Sequence, residues 1–249
     1  MRLKNQVVIV TGGANGLGET YCFGLADEGA KVVIADIDSQ NGERVLQEIN
    51  KAGGEAIFIP TDVSRKEEAE RMVLATVKKY GRIDTLVNNA FVFFIAPIEE
   101  TTEEMWDKSF SVNVKGYFFC AIAASQEMKK QRKGKIINVS SIAGHGAQPN
   151  LCVYGATKAA ITMMTRSLAL ELAPHNIQVN ALLPGTTDAG KAKEAMKDPT
   201  WAKQTISGIP LGRLGTARDM FGAVLYFASE DSNYCTGQTL IVDGGYSMI

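Results

Sequence analysis

The sequence has few of the residues that bind metals or form disulfides. Its 249 residues include two histidines, His145 and His175, and four cysteines without a CxxC pair. The cysteines are Cys22, Cys120, Cys152 and Cys235. Zinc sites need ligands at short, regular spacings, and none occurs here. We interpret the cysteines as free thiols in a reducing compartment, each packed as a small apolar residue.

Strong net charge and long apolar runs are also missing. The formal net charge is -1, and no basic stripe exists, which argues against a nucleic-acid partner. The longest uncharged stretch, between Asp84 and Glu99, holds two asparagines and a proline, so it does not fit a membrane span. The apolar run at 7–10 is too short for a signal peptide. We expect a cytoplasmic protein with neither a membrane nor a nucleic-acid partner.

Short β-branched runs alternate with longer helical patterns along the chain. Strands are predicted at 6–12, 31–36, 55–62, 84–90, 134–141, 177–185 and 238–245. Helices are predicted at 16–29, 39–52, 65–80, 102–131, 153–173 and 217–229. The runs are continuously apolar, as in strands that are buried on both faces. The pattern predicts an α/β fold, a doubly wound parallel sheet with helices on both faces.

No linker or repeat interrupts this alternation, so we predict one domain over 1–249. The exception is the long segment 186–215, which contains two prolines and follows a strand's carboxyl end. Loops of that length are usually functional or disordered, and we interpret this one as a lid over a site, with a passive excursion as the alternative. Ser64 and Glu67 predict a capping box at the start of the third helix.

A glycine-rich stretch, TGGANGLG at 11–18, follows the first strand and opens the first helix. Glycines permit a tight turn and close approach of the backbone, and the helix N-terminus offers free N–H groups. The stretch therefore predicts a dinucleotide pyrophosphate site, although its spacing is not GxGxxG.

Polar residues follow the next strands at their carboxyl ends, where an open parallel sheet binds its ligand. Asp36 can accept from both hydroxyls of an adenosine ribose and would repel a 2′-phosphate, which favours NAD over NADP. Positions 15, 17 and 37 hold Asn15, Leu17 and Ile37, so the loop and the residue after Asp36 offer no lysine or arginine for such a phosphate. A carboxylate at Asp62 can meet the adenine amino group.

Taken in order, these residues carry a family signature: Thr11-Gly12, Gly16-Leu17-Gly18, Asp62, Asn88-Asn89-Ala90, Asn113, Ser141, Tyr154-Gly-Ala-Thr-Lys158 and Pro184-Gly185. The chain resembles the short-chain dehydrogenase/reductase family over its whole length. The resemblance implies a Rossmann-like sheet ordered 3-2-1-4-5-6-7, an NAD(P) cofactor and a homotetramer. The expected cofactor contacts are Gly12, Asn15, Gly16, Leu17, Gly18, Asp36, Ile37, Asp62, Val63, Asn89, Tyr154, Lys158, Pro184, Gly185 and Thr187.

The resemblance also implies an Asn-Ser-Tyr-Lys active site. Tyr154 and Lys158 lie four residues apart and share a helix face, and we expect the ammonium, with a positive nicotinamide ring, to lower the pKa of the phenol. Tyr154 would then take the proton of a bound alcohol while hydride leaves its carbon. Ser141, preferred over Ser140, would hold the substrate oxygen. Asn113 would hold a water that links Lys158 to solvent.

The sequence departs from the family pattern at two places. Phe91 replaces the glycine of Asn-Asn-Ala-Gly, and Ala189 stands where a threonine commonly follows Pro-Gly. Of Thr186, Thr187 and Asp188, we assign the nicotinamide carboxamide contact to Thr187, through its backbone.

The substrate is the least defined part of the prediction. The aromatics of FVFFIAP at 91–97, with Met196 and Trp201, suit an apolar secondary alcohol or ketone, aromatic ones included. The phenylalanines can equally be core or subunit contacts. His145 can reach substrate or lie in solvent. The leading hypothesis is an NAD-dependent alcohol dehydrogenase or ketone reductase. The alternatives are a 3-oxoacyl-thioester reductase and a dinucleotide sensor without catalysis.

Overall fold

Seven parallel strands form one sheet in the described part of the chain. The computed structural model describes residues 1–189 and 199–248, with the backbone alone for 199–201. The strands are β1 Val7–Thr11, β2 Lys31–Asp36, β3 Glu55–Pro60, β4 Thr85–Asn88, β5 Gly134–Val139, β6 Ile177–Pro184 and β7 Thr239–Val242. Their order, β3-β2-β1-β4-β5-β6-β7, confirms the predicted topology.

Helices connect the strands and cover both faces of the sheet. They are α1 Gly16–Asp27, α2 Ser39–Lys51, α3 Lys66–Tyr80, α4 Glu103–Ser109, α5 Tyr117–Gln131, α6 Cys152–Leu172, α7 Pro199–Ser207 and α8 Ala217–Ala228. A π-helical segment, Phe110–Gly116, joins α4 to α5, and short 3-10 turns lie at Ile98–Glu100, Ile142–Gly144, Ala173–His175, Glu230–Ser232 and Tyr246–Met248.

The strand β1 shows why the apolar runs are continuous. Val8 and Val10 pack into a core with α1, α2 and α8. Val7 and Ile9 point the other way, into a core with α3, α5 and α6. Alternate side chains of a strand point to opposite faces, so a strand with a core on each side needs apolar residues at every position.

The chain reverses its direction across the sheet at β1. This strand pairs with β2 on one side and β4 on the other, both in parallel. Ligands of open α/β sheets bind beyond the carboxyl ends of the strands at such a switch point. Thr11 ends β1 and Asn88 ends β4, so the predicted site residues around them converge at this edge.

Two local predictions were wrong. The third helix has no Ser64–Glu67 capping box: it begins at Lys66 after Arg65, which makes no side-chain cap. Ser64 instead donates to Asp62 at 2.7 Å, and the main-chain N–H of Asp62 donates to Glu68 at 2.8 Å. The Ser64 hydroxyl thus bonds to the carboxylate of Asp62 instead of capping the helix.

The second error concerns the helix predicted over 102–131. The α-helical hydrogen-bond pattern gives way to the wider π pattern over Phe110–Gly116, a form that is frequent at functional sites. The segment 186–215 also differs from a plain loop, because its described part contains α7 and a parallel bridge between Thr187 and Gly215.

The four cysteines are unpaired, but they do not share one environment. Cys22 and Cys120 are buried, as predicted, whereas Cys152 is exposed and Cys235 is half-buried. Cys152 opens α6 and so lies at a helix end rather than in a core. Among the described residues, every helix falls short of the length and apolar character needed to cross a bilayer.

Candidate active site

The glycine-rich stretch forms a tight loop between β1 and α1. Gly12 has a φ of 64°, in the left-handed region, and a Cβ at Gly18 would lie 2.0 Å from the Gly12 carbonyl oxygen. Side chains are therefore excluded at both positions by the backbone itself. This close contact brings the start of α1 against the end of β1.

The loop fits the pyrophosphate of a dinucleotide. Asn15, at the N-cap of α1, makes no side-chain capping hydrogen bond, and the first amides of a helix have no intrahelical partners. Gly16 has a φ of 58°, and a Cβ there would meet no heavy atom within 4 Å. Open space above uncapped amides is the arrangement in which helix N-termini bind phosphates. Asn15 and Gly16 are exposed and Leu17 is half-buried beside this space.

Asp36 ends β2 next to the same loop. Its carboxylate accepts one hydrogen bond from the N–H of Ala14 at 3.0 Å and one from the N–H of Asp38 at 3.0 Å. An ionised carboxylate has about four acceptor positions, so two remain for ribose hydroxyls. Ile37 beside it is 74% exposed and supplies an apolar surface at this edge.

Asp62 and Val63 follow β3. Burial opposes ionisation of Asp62, but two hydrogen bonds from Ser64, with the positive charges of Lys108 and Arg65, hold the pKa of this carboxyl below its usual value. Asp62 therefore remains an acceptor near neutral pH. Val63 is buried against Gly116, where it leaves no room for a larger residue.

Asn89 braces the glycine loop. Its side-chain Nδ2 donates to the carbonyls of Thr11 at 3.0 Å and Gly12 at 3.1 Å. Asn88, its neighbour, points into the sheet and donates to Asn138 at 3.0 Å. The two asparagines thus hold β1, β4 and β5 in register rather than presenting free amides.

The third set of predicted cofactor residues follows β6. A Cβ at Gly185 would lie 2.6 Å from the Cα of Asp243, which explains the glycine after Pro184. The bridge to Gly215 uses the carbonyl of Thr186 and the N–H of Asp188, and not the backbone polar groups of Thr187 between them. The backbone N–H and carbonyl of Thr187 therefore lie outside the bridge. These are the groups that we predicted to contact the nicotinamide carboxamide.

Ser141 and Tyr154 meet at the carboxyl end of β5. Ser141 lies close enough to Tyr154 for its hydroxyl to oppose a rise in the pKa of the phenol, and it accepts from the N–H of Ala143 at 3.1 Å. Two glycines permit this approach: a Cβ at Gly144 would lie 2.5 Å from the Lys158 carbonyl carbon, and one at Gly155 would lie 2.8 Å from the Ala143 oxygen. Ser140 points elsewhere, to the Lys158 carbonyl at 2.7 Å, as we predicted.

Lys158 is buried one helical turn beyond Tyr154, with 1% of its surface exposed. Its Nζ donates to the carbonyl of Val139 at 2.9 Å, which also accepts from the Tyr117 hydroxyl at 2.9 Å. The ring centroids of Phe91, Tyr117 and Tyr154 lie 5.2, 5.5 and 5.5 Å from Nζ. One carbonyl and three aromatic faces therefore surround the ammonium.

The pKa values of this pair differ from our expectation. Burial raises the pKa of Tyr154 to about 12, although the hydrogen bond with Ser141 opposes the rise. Burial also lowers the pKa of Lys158 to about 7. Lys158 is not among the causes that shift the pKa of Tyr154, since its Nζ is directed at Val139. The lowering that we expect with a nicotinamide ring beside the pair stays a prediction.

Asn113 lies in the π-helical segment and connects two neighbouring elements. Its Oδ1 accepts from the N–H of Val92 at 2.8 Å. Its Nδ2 donates to the Val92 carbonyl at 3.0 Å and to Thr157 at 3.1 Å. The carboxamide therefore contacts the segment after β4 and helix α6 instead of Lys158. Its water-binding role stays a prediction.

The aromatic residues after β4 form one side of the site. The Phe93 ring packs edge-on against Tyr154 at 4.6 Å, and the Phe91 ring lies 6.3 Å from it. They are therefore neither core nor subunit contacts alone. His145 is exposed. Met196 and the side chain of Trp201 lie outside the described residues.

Sequence reasoning missed several residues here. Gly144, Gly155, Val139 and Tyr117 bring Ser141, Tyr154 and Lys158 together, and Phe91 covers Lys158. The spacing of residues in the sequence does not show which backbone carbonyl a side chain contacts or where two segments approach closely. The small residues that flank Tyr154 were a usable signal. Within residues 1–189 and 199–248, no group of three or more His, Cys, Asp or Glu residues is placed to hold a metal ion.

Comparisons with known proteins agree with this geometry. The family described as enoyl-(acyl carrier protein) reductase matches residues 12–247. An uncharacterized oxidoreductase of Thermotoga maritima is 40% identical over 100% of both chains. Cyclopentanol dehydrogenase of Comamonas is 36% identical over 99% of this chain and 98% of its own. 3-oxoacyl-[acyl-carrier-protein] reductase of Thermotoga maritima is 38% identical over 98% and 99%.

Solved structures extend the likeness to three dimensions. NAD+-bound xylitol dehydrogenase has a TM-score of 0.95 at 31% identity, covering 98% of this chain and 100% of its own. Levodione reductase has a TM-score of 0.95 at 31% identity, covering 99% of each chain. With the strand order and the Ser141–Tyr154–Lys158 cluster described above, these matches show that the chain is an oxidoreductase that belongs to the short-chain dehydrogenase/reductase family.

Proposed function

We propose that the protein is an NAD-dependent oxidoreductase that interconverts a secondary alcohol and a ketone. The observation that carries this proposal is the close packing that brings Ser141 to the start of α6, beside Tyr154 and with Lys158 one helical turn further on. A phenol and a hydroxyl side by side at the carboxyl ends of the strands suit proton transfer to and from a substrate oxygen.

Each residue then has one task. Tyr154 takes the hydroxyl proton of the alcohol during oxidation and returns it to the carbonyl during reduction. Ser141 donates to the substrate oxygen and stabilises the charge that develops on it. Bound NAD⁺ supplies the hydride acceptor. Lys158 is proposed to hold the nicotinamide ribose hydroxyls, which requires the Phe91 ring to leave its place over Nζ. Asn113 is proposed to hold a water that links Lys158 to solvent.

The proposed cofactor contacts fall into three groups along the edge of the sheet. The glycine loop, with Gly12, Asn15, Gly16, Leu17 and Gly18, would bind the pyrophosphate. Asp36, Ile37, Asp62, Val63 and Asn89 would enclose the adenosine half. Pro184, Gly185 and Thr187, with Tyr154 and Lys158, would hold the nicotinamide half. Preference for NAD rests on Asp36, whose free acceptor positions suit ribose hydroxyls and repel a phosphate.

The substrate is proposed to be apolar and cyclic or aromatic. Phe91 and Phe93 give the space beside Tyr154 an aromatic wall, and aromatic walls suit flat apolar rings. Cyclopentanol dehydrogenase, by its name, acts on a ring alcohol, which supports this choice by analogy. The segment 186–215 is proposed as the lid over this wall, anchored by the bridge of Thr187 to Gly215.

A 3-oxoacyl-thioester reductase is the second candidate, favoured by the 38% identical reductase of that class. Because biosynthetic reductases tend to use NADPH, Asp36 counts against it. A dinucleotide sensor without catalysis is the remaining alternative, and the assembled Ser141–Tyr154–Lys158 cluster counts against that.

The test is a substrate panel measured by absorbance of the reduced cofactor. Cyclic, aromatic, sugar and steroid alcohols are assayed with NAD⁺ and NADP⁺, and a 3-oxoacyl thioester is assayed with NADH and NADPH. We expect the highest kcat/KM for cyclic or aromatic alcohols with NAD⁺, and loss of that signal in Tyr154→Phe. Turnover confined to the thioester and NADPH would replace this proposal with the second candidate.

We further propose a cytoplasmic homotetramer. Trp106, Phe118 and Met163 lie 46%, 42% and 59% exposed on the faces of α4, α5 and α6. A groove of about 460 Å³ separates these helices and is lined by Phe110, Phe118 and Met164, with Asp107, Ser111, Val114 and Lys115. Analytical ultracentrifugation of wild type and Phe118→Glu tests the assembly: we expect a tetramer that the charge dissociates.

A further inference from the structure

Helix α2 places an arginine beside the proposed adenosine site. The Nη2 of Arg44 donates to the carbonyl of Ala14 at 3.4 Å, and the N–H of Ala14 donates to Asp36 at 3.0 Å. A single residue of the glycine loop therefore separates the guanidinium from the carboxylate that we assign to the ribose. A guanidinium near this position is what a dinucleotide site uses to bind a 2′-phosphate.

Arg44 is occupied by carboxylates. Its Nη1 donates to Glu19 in the first turn of α1 at 2.8 Å and to Glu48 at 3.2 Å. Its Nε donates to Asn41 at 3.3 Å. Hydrogen bonding to Glu19 is the largest cause that raises the pKa of Arg44. Two carboxylates, Glu19 and Glu48, thus pair with Arg44, and its guanidinium is directed at groups of the protein itself.

The rest of this charged cluster, which we call the ribose corner, is acidic. It comprises Glu19, Asp36, Asp38 and Arg44. Asp38 accepts from Asn41 at 2.6 Å and from Asn15 at 3.3 Å, and these bonds help to hold its pKa below the usual value. Three carboxylates and one guanidinium give the ribose corner a net charge of about -2 near neutral pH.

We propose that Glu19 is a specificity-determining residue, which excludes a 2′-phosphate by holding Arg44 away from it. Asp36 and the Glu19–Arg44 pair then select against NADP together: the first by repulsion, the second by withholding the cation. This inference rests on the proposed use of NAD. It predicts that Arg44 can bind a 2′-phosphate once Asp36 and Glu19 are both substituted.

The experiment is a binding titration of NAD⁺ and NADP⁺ by calorimetry on the purified full chain. The variants are Asp36→Ser, Glu19→Gln, their combination, and the combination with Arg44→Gln. Glu43→Gln is the matched control, because Glu43 is an exposed carboxylate next to Arg44 in sequence and its loss changes net charge equally. Thermal melting of each variant confirms that it is folded.

We expect Asp36→Ser to raise NADP⁺ affinity about tenfold and Glu19→Gln to raise it about tenfold more in that background, as for one gained hydrogen bond to a charged group. Arg44→Gln should remove the second gain, and Glu43→Gln should give about twofold or less. The affinity of NAD⁺ should stay within about threefold in Glu19→Gln.

Three results would overturn the inference. The first is no gain from Glu19→Gln in the Asp36→Ser background, the second is a gain that survives Arg44→Gln, and the third is an equal gain from Glu43→Gln. Each would leave a simple surface ion pair that joins α1 to α2. The proposed function fails separately, if the wild-type chain binds NADP⁺ as tightly as NAD⁺.

Discussion

The ribose corner and the catalytic centre (Ser141, Tyr154 and Lys158) lie along one sheet edge and treat charge in opposite ways. In the ribose corner, Arg44 and Glu19 keep 39% and 25% of their side-chain surface exposed and are paired with each other. In the catalytic centre, Lys158 is 1% exposed and is held by a carbonyl and aromatic rings. Water screens the first set of charges and is excluded from the second.

This difference separates selection of the cofactor from chemistry. Exposed charges act on a ligand through net charge and are weakened by salt. Burial of an ammonium lowers its own pKa, because an apolar environment disfavours the charged form when no anion is near. Exposed carboxylates thus serve to discriminate NAD from NADP. Desolvated Tyr154 and Lys158 serve where protons are transferred.

The largest expected effect lies in the catalytic centre. Tyr154→Phe should lower kcat about 10³-fold, because it removes the group that transfers the proton. NAD⁺ affinity, measured by calorimetry, should fall far less than kcat, since Tyr154 is one of several proposed contacts to the nicotinamide half and the ribose corner is untouched. Equal losses in kcat and in affinity would show that the two regions are not separable.

The buried lysine predicts a dependence of stability on pH. The folded-state pKa of Lys158, about 7, is below the ordinary 10.5. Between these values the unfolded chain binds more protons, so this residue lowers stability fully below pH 7, and the cost disappears as pH rises to 10.5. Lys158→Met should therefore raise the unfolding free energy at pH 6 by about 3 kcal/mol, and by much less at pH 10.

Denaturant unfolding of the ligand-free protein at both pH values measures this difference. Lys135 supplies the matched control, since it is buried too and burial lowers its pKa only to about 8. Lys135→Met should follow the same sign with a smaller change. A Lys158→Met variant that is less stable than wild type at pH 6 would contradict the desolvation argument.

Close packing behind the catalytic pair can be broken without removing a polar group. Gly144→Ala places a Cβ 2.5 Å from the backbone of Lys158, whereas Gly146→Ala meets no heavy atom within 4 Å. We expect Gly144→Ala to cost about 1–3 kcal/mol and to lower kcat about tenfold, because Ser141 moves away from Tyr154. Gly146→Ala should be neutral in melting and kinetics, and identical behaviour of the two variants would contradict this account.

Salt gives the smallest effect and sharpens the comparison most directly. Raising ionic strength from about 0.05 to 0.5 M should reduce the preference for NAD⁺ over NADP⁺ about threefold, because the carboxylates of the ribose corner are screened. The kcat with saturating NAD⁺ should change less than about twofold, since Lys158 is screened little. A salt-sensitive kcat with constant cofactor preference would reverse the assignment of roles.

Individual elements show how far sequence reasoning reaches. The strands were predicted to within a few residues, because continuous apolar runs follow from burial on both faces. The capping box at Ser64 was wrong, since the hydroxyl had a carboxylate partner two residues earlier. The π-helical segment was missed, because the helical pattern of the sequence continues through it. Its Asn113 contacts Val92 after β4 and Thr157 on α6, which are distant along the chain.

Local order along the chain thus determined the sheet, the glycine loop and the identity of the polar residues at the strand ends. The tertiary structure alone decided the pKa values of Tyr154 and Lys158 and the pairing of Arg44 with Glu19. The physical reason is that periodicity and backbone geometry are short-range properties. Desolvation and ion pairing depend on atoms that the fold brings together from distant parts of the chain.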